Sequence, residues 1–316
     1  MITAIDEQVD YREVPADLLD GGESAKRFHE WKAAAVVRGC IPLRRLLPAP
    51  QPTFPGIFMY HRVVPTDSTP KNLPPSWNVT PDRFRNQLSG LLKRGYVAWS
   101  LSRLVEASVS GEQIPSNVFV VTFDDGYANN FLHALPILEE LKVPATIFLA
   151  TGYLDSADPF PFDDWSLKGS GSVHPDTWRA LTMDECHQLL ASEMIEFGSH
   201  THTHEDYRGR GEVFKENLAT SLDVLETEFG ITHPTLSLPY GILKRGFAGP
   251  EYFATAAAQQ ATCCLTTEEE LVVPGSNPFG WGRLIAEQHD TASTLAVKLD
   301  GWRDAARNKW RRLRRT

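Results

Sequence analysis

Two adjacent carboxylates end an apolar run, which is an unusual place for negative charge. Asp124 and Asp125 follow the segment VFVVTF and precede Gly126. Because burying a carboxylate without a partner is costly, a divalent cation would be a suitable source of compensating charge. One carboxylate could then bind the cation while its neighbour stays free as a base. By itself, Asp-Asp-Gly is also typical of a turn.

Three histidines form a second group of candidate ligands. His200, His202 and His204 alternate with threonines directly after the segment MIEFGS. Catalytic zinc sites usually combine three protein ligands with an open position for water, so two of these imidazoles and Asp125 would form such a set. The spacing leaves the pair open, because a helical turn favours residues four apart and a strand favours residues two apart. A solvent-exposed cluster with casual metal affinity is the alternative.

This set of residues is suited to hydrolysis of an acyl–nitrogen bond. A metal lowers the pKa of water towards neutrality, and Asp124 is then a suitable base for the attack on an acyl carbon. The amine that leaves needs a proton from a second titrating residue. His61, which follows the segment GIFMY, is the candidate acid, although a lone histidine at a strand end is more often structural.

Short apolar runs alternate with helical patterns from residue 56 onward. The runs are GIFMYH, NVFVVTF, PATIFLA, MIEFGS, TLSLPY and ATCCL. Between them, Thr80-Pro81 and the pair Thr182 and Glu185 have the spacing of helix N-termini. This alternation predicts parallel strands covered by helices, either as a closed barrel or as an open doubly wound sheet. In both arrangements the residues that follow the strands meet at one edge.

Three of these segments together resemble a known family. VTFDDGY, GSHTHTH and LPYG occur in the order typical of the polysaccharide deacetylase family, carbohydrate esterase family 4, and the resemblance covers about residues 55–295. It implies a distorted (β/α) barrel of mainly parallel strands. It also implies metal-dependent removal of N-acetyl groups from a sugar or polysaccharide, with zinc as the expected ion.

The resemblance assigns roles to individual residues. Asp124 corresponds to the catalytic base and Asp125 to the metal-binding carboxylate. The family pattern H-x-x-x-H selects His200 and His204 as metal ligands, which leaves His202 without that role.

The third motif and its surroundings depart from the family pattern. The backbone N–H of Tyr240 in LPYG corresponds to the donor that stabilises the oxyanion. Many relatives have an arginine that contacts the base where this chain has Ser237, and Arg283 is the candidate replacement. With Pro239 and Trp165, the latter a candidate sugar-stacking residue, Arg283 is also expected to bind substrate.

The expected acid also comes from an unusual position. No convincing Leu-x-His segment occurs late in the chain, where many relatives place this histidine. The segment Tyr60-His61-Arg62-Val63 resembles a subgroup, the poly-N-acetylglucosamine deacetylases, that uses an early histidine instead and often lacks the arginine of the third motif. The resemblance therefore favours His61 as general acid, with His289 as the alternative.

The composition of the 316-residue chain is ordinary for a globular protein, with 42% hydrophobic and 22% charged residues. We expect an extension and linker over residues 1–50, a barrel domain over 51–300 and a basic tail over 301–316. The four cysteines, Cys40, Cys186, Cys263 and Cys264, form no CxxC pair and are expected to be reduced. No export signal or membrane span is recognisable, so we expect a cytoplasmic protein.

The basic tail suggests one further contact. Residues 301–316 contain seven basic residues and one acid, together with two tryptophans. Such a segment could lie on an anionic membrane at the inner face, although a solvated helix end is the simpler alternative. A nucleic-acid partner is disfavoured, because the whole chain has a formal net charge of −9.

Overall fold

The computed structural model describes residues 41–42, 53–68, 77–163 and 173–302, and its central feature is a curved parallel sheet. Within the described residues the sheet has nine strands, and every pairing is parallel. The strands are β1 (Gly56–Tyr60), β4 (Val97–Ala98), β5 (Val118–Phe123), β6 (Ala145–Leu149), β7 (Ile195–Ser199), β8 (Leu236–Ser237), β9 (Cys264–Leu265), β10 (Phe279–Trp281) and β11 (Leu284–Ile285). Two short strands, β2 (Arg62–Val63) and β3 (Asn78–Val79), form a separate parallel pair.

The strand order shows that the sheet curls into a barrel. It runs β10-β9-β8-β7-β6-β5-β1-β11, with β4 attached to β5. The two edge strands, β10 and β11, follow each other in the chain and are separated by Gly282 and Arg283 alone. Since two residues span only a few ångströms, the opposite edges of the sheet must lie close together. A Cβ at Gly282 would collide with the carbonyl oxygen of Glu268, so this narrow connection requires glycine.

Helices cover the sheet between its strands. They are α1 (Pro81–Leu92), α2 (Leu101–Ser110), α3 (Leu135–Leu141), α4 (Met183–Ala191), α5 (Gly211–Phe229), α6 (Pro250–Ala258) and α7 (Ala292–Leu299). The side chain of Thr80 caps α1, and Thr182 and Glu185 form the expected capping box of α4. The predicted distorted (β/α) barrel of mainly parallel strands is therefore confirmed.

The strands separate two apolar cores. In β1, Ile57 packs into one core while Phe58 and Tyr60 face the other, and β5 alternates in the same way. This two-sided burial explains why the central strands have uninterrupted apolar sequences. Three cysteines lie in this part of the chain, Cys186, Cys263 and Cys264, and all are buried free thiols as expected.

Several expectations concern residues outside the described ranges. They include the structure of residues 1–40 and 43–52, the side chain of Trp165, and the basic tail from residue 303 onward. Among the described residues, no helix combines the length and apolar character needed to cross a bilayer.

Candidate active site

The predicted functional residues meet at the carboxyl edge of the sheet. His61 follows β1, Asp124 and Asp125 follow β5, the HTHTH segment follows β7, and Pro239-Tyr240 follows β8. The barrel therefore brings together four segments that are distant in sequence.

The backbone of these loops is strained where the site is built. Nine non-glycine residues of the described chain have positive φ, and four of them lie in these loops: Asp125 (74°), Thr201 (65°), His204 (52°) and Tyr240 (61°). Left-handed conformations are costly for residues with a Cβ and tend to concentrate at functional sites. The concentration here supports a functional role for this edge.

Asp125, His200 and His204 form a buried group whose donor atoms face one another. Their ligand atoms lie within 4.8 Å of one another. Asp125 Oδ1 is 3.4 Å from His200 Nε2 and 3.6 Å from His204 Nε2. His200 donates from Nδ1 to the carbonyl of Ser237 at 2.8 Å, which leaves its Nε2 lone pair directed at the group.

The protonation of this group suits a cation. Burial lowers the pKa of His200 and holds that of His204 well below its usual value, so both imidazoles are neutral near pH 7. Burial and the charge of Asp124 raise the pKa of the Asp125 carboxyl. Asp125 Oδ1 is buried and accepts no hydrogen bond from a described residue. Two nitrogen donors and one unsatisfied carboxylate oxygen fit a divalent metal ion.

Asp124 lies beside this group but has a different environment. Arg283 binds both of its oxygens, with Nη1 2.6 Å from Oδ1 and Nη2 2.7 Å from Oδ2. Burial acts to raise the pKa of Asp124, but the charge and hydrogen bonds of Arg283 outweigh it and hold the pKa well below the usual range. Asp124 is therefore a fixed carboxylate. Ser237 also accepts a hydrogen bond from Arg283 at 2.8 Å.

His61 lies within electrostatic range of Asp124 and His200. Burial lowers its pKa to about 3, against an opposing effect of Asp124. Its ring stacks on the indole of Trp77, with centroids 5.1 Å apart. Trp77 is 40% exposed and also has positive φ, at 56°.

Tyr240 occupies a tight turn next to the group formed by Asp125, His200 and His204. Gly241 N–H donates to the carbonyl of Pro239 at 2.7 Å, and the ring of Tyr240 packs against His204 with a centroid distance of 4.9 Å. No described residue accepts a hydrogen bond from the Tyr240 backbone N–H. This donor is therefore free to bind a substrate oxygen.

Some predicted residues lie elsewhere or are enclosed. Arg283 is fully buried and Pro239 is also buried, and their expected contact with substrate stays a prediction. His202 points to Thr151, whose hydroxyl is 3.0 Å from its Nδ1, and is not part of the group with Asp125. His289 lies beside Glu287, with Nε2 3.3 Å from the carboxylate.

Sequence reasoning missed a set of supporting side chains. Phe162 stacks on His204 with centroids 3.8 Å apart, and Arg62, Tyr127 and Asp163 form a buried polar group next to Asp125. Arg62 and Tyr127 adjoin motifs that were recognised, but neither residue type alone signals such a contact. Trp77 had no signal in the sequence.

Comparison with known proteins agrees with this geometry. Residues 111–249 match the family model described as polysaccharide deacetylase. A segment of 124 residues is 27% identical to the poly-beta-1,6-N-acetyl-D-glucosamine N-deacetylase of Escherichia coli strain K12. That segment covers 39% of this chain and 18% of the relative, so the match spans less than a fifth of the relative's length.

Solved structures share the fold. IcaB from Ammonifex degensii aligns with a TM-score of 0.65 and 20% identity, covering 79% of this chain and 98% of that one. The deacetylase PplD of Streptococcus pyogenes, solved in complex with acetate, aligns with a TM-score of 0.63 and 21% identity. That alignment covers 79% of this chain and 99% of PplD.

Proposed function

Because the chain belongs to the polysaccharide deacetylase family, we propose that it is a metal-dependent hydrolase that removes N-acetyl groups from an amino sugar and releases acetate. The observation that supports this most directly is the contrast between two neighbouring carboxylates. Asp124 is bound by an arginine, whereas Asp125 has an unsatisfied oxygen that faces two neutral imidazoles. A base must stay ionised without binding the metal, whereas a metal ligand needs a free oxygen directed at the ion. The two environments meet these two requirements.

In the proposed reaction, Asp125, His200 and His204 hold a divalent cation, with zinc expected. The cation supplies the Lewis acidity that makes water a nucleophile near neutral pH. Asp124 accepts a proton from the attacking water at a carboxylate oxygen. Arg283 keeps Asp124 ionised and fixes its orientation, so the acceptor is always available.

The remaining steps need a donor for the oxyanion and an acid for the amine. When the water oxygen adds to the acetyl carbon, the backbone N–H of Tyr240 donates to the carbonyl oxygen. The negative charge that develops nearby raises the pKa of the imidazole, so that His61, which is neutral in the resting protein, takes up a proton from solvent. The C–N bond then breaks, His61 donates this proton to the nitrogen that leaves, and Asp124 returns its proton to solvent.

An amino sugar fits this arrangement better than a small amide. The acid must lie beside the nitrogen that leaves, and Trp77 presents an exposed indole next to His61. Aromatic faces of this kind are well suited to packing on a sugar ring. An amidase with the same fold and a binding relative without turnover are the alternatives. A base beside a metal ligand has no purpose in a protein that only binds.

Two substitutions test the proposal. Asp124→Asn should retain zinc but lower acetate release by about 10²–10⁴-fold, because it removes the base. His200→Ala should lose zinc, measured by titration against a chelator. His202→Ala is the matched control and should retain zinc, because its ring lies outside the ligand group.

A substrate panel separates the alternatives. Acetate release from N-acetylglucosamine oligomers, in preference to small linear and cyclic amides, is the expected result. Cleavage of the small amides alone would identify an amidase. Normal turnover by Asp124→Asn would refute its role as base.

A further inference from the structure

The two histidines of the candidate metal site are held in different ways. His200 donates from Nδ1 to the carbonyl of Ser237, whereas the buried Nδ1 of His204 has no hydrogen-bond partner among the described residues. Histidines that bind metals usually use this second nitrogen to fix the orientation of the ring. The imidazole of His204 must therefore be held by packing instead.

The ring of Phe162 lies nearly parallel to the imidazole of His204. Their centroids are 3.8 Å apart and their planes differ by 21°, so the two faces are in van der Waals contact. The ring of Tyr240 meets the same imidazole in an edge-to-face contact, with centroids 4.9 Å apart. Rotation of the imidazole about its Cβ–Cγ bond would drive it into Phe162. The stacked ring thus restrains the direction of His204 Nε2.

Phe162 is itself held by two aromatic neighbours. It stacks on Phe160 with centroids 5.1 Å apart, and it meets Tyr153 edge-to-face at 5.8 Å. Both neighbours are buried in one apolar cluster. The hydroxyl of Tyr153 also donates to the carbonyl of Thr203 at 3.0 Å, directly before His204. These aromatic residues therefore contact the histidine loop through both its side chain and its backbone.

We propose that Phe162 is a positioning residue that directs Nε2 of His204 at Asp125 and thereby sets the affinity for a divalent cation. The inference rests on the metal-dependent function proposed above. His204 Nε2 lies 3.6 Å from Asp125 Oδ1, and the backbone of His204 has a positive φ of 52°. Such a backbone conformation persists only where surrounding contacts stabilise it, and the stack with Phe162 supplies one.

The electrostatics of the stack also favour a bound cation. A cation on Nε2 draws electron density from the imidazole and makes its ring more positive. The face of a phenylalanine ring is negative and attracts positive charge. Phe162 provides this attraction without a formal charge and without a proton that could occupy a ring nitrogen of His204. A lysine or arginine in the same place would repel the ion.

The test compares two phenylalanines that each contact a histidine. Phe162→Leu keeps an apolar side chain but removes the flat ring, and it should weaken zinc binding by about 10–100-fold, measured by competition with a chelator. Phe229→Leu is the matched control, because Phe229 is also half-buried and packs on His187 with centroids 5.5 Å apart. Phe229 ends α5, a helix of 19 residues and about 28 Å that begins after the histidine loop. The zinc affinity of this control should match that of the wild type.

A conservative variant and a spectroscopic signature separate orientation from general loosening. Phe162→Tyr restores an aromatic face and should recover the zinc affinity of the wild type. With cobalt(II) bound in place of zinc, the visible absorption bands report ligand geometry and should change in Phe162→Leu but not in Phe229→Leu.

Wild-type zinc affinity and cobalt bands in Phe162→Leu would overturn the inference. Equal losses of zinc affinity in Phe162→Leu and Phe229→Leu would overturn it as well, because the effect would then come from general loosening. A wild-type protein that binds no zinc would instead refute the proposed function.

Discussion

Asp124 and Asp125 are adjacent aspartates, and each has a buried arginine nearby. The arrangement of the arginine differs between the two. Arg283 binds both oxygens of Asp124 directly. On the other side, Arg62 pairs with Asp163 and donates to Tyr127, whose hydroxyl donates to Asp163. Asp124 thus binds a positive charge directly, whereas Asp125 Oδ1 accepts no hydrogen bond from a described residue and faces two imidazoles.

The difference suits the two residues to the separate roles proposed for them. The charge of Arg283 holds the pKa of Asp124 well below the usual range, whereas burial and the charge of Asp124 raise the pKa of Asp125. Asp124 has its compensating cation within the protein, and in the proposed function Asp125 takes one from solution. The surroundings of the two adjacent carboxylates therefore support the proposed division into base and metal ligand.

The largest effect is expected from removing the direct arginine. Arg283→Met leaves Asp124 buried without a partner, which should lower the free energy of unfolding by about 3–5 kcal/mol. Turnover should fall by about 100-fold or more, because the base is no longer fixed. Chemical denaturation and acetate release measure the two effects.

The pH dependence of the free energy of unfolding tests whether the lost stability comes from the ion pair between Arg283 and Asp124. Since the pKa of Asp124 is lowered in the folded state, stability from the pair is present above the unfolded pKa of about 3.9 and is lost as pH falls through the folded pKa. The stability difference between the wild type and Arg283→Met should therefore be smaller near pH 3 than at pH 7. A difference that does not change with pH would show that the lost stability comes from packing.

The sequence allowed much of this arrangement to be predicted. Apolar runs correctly identified strands β1 and β5 to β9, and the motif residues lie at the strand ends where a parallel sheet must place them. Arg283 was expected near Asp124 and also as a substrate contact. The structure buries it completely beside Asp124, and the second role stays a prediction. Its position depends on how the barrel edges meet at β10 and β11, which no local pattern specifies.

The buried group of Arg62, Tyr127 and Asp163 could not be predicted for the same reason. Arg62 and Asp163 are 101 positions apart, and nothing in either segment indicates that they pair. Tyr127 follows the Asp-Asp-Gly motif directly, where a tyrosine is equally compatible with an ordinary core position. Such contacts arise only once the whole sheet has curled.

A smaller effect is expected at His61. Burial lowers its pKa to about 3, so the imidazole should stay neutral from pH 8 to about 4.5 in the metal-free protein. Its nitrogen NMR signals should not titrate in that range. Because the unfolded pKa is about 6.5, the wild type should lose about 1–2 kcal/mol of stability relative to His61→Asn as pH falls from 6.5 to 4.5.

The kinetic role of His61 has a separate readout. His61→Ala should slow acetate release severely and leave zinc affinity unchanged, because the imidazole is outside the ligand group. An unchanged rate would transfer the role of acid to His289.

The smallest effect is expected at Ser237, which links the two sides of the comparison. Its hydroxyl accepts from Arg283 at 2.8 Å, and its backbone carbonyl accepts from His200 at 2.8 Å. Ser237→Ala removes only the first bond, so stability should fall by about 1 kcal/mol and turnover by a few-fold, while zinc affinity is retained. Ser221→Ala is the control, because it deletes a buried hydroxyl that bonds Ser199 instead. If Ser237→Ala lost zinc as His200→Ala should, the base and ligand environments would not be separable.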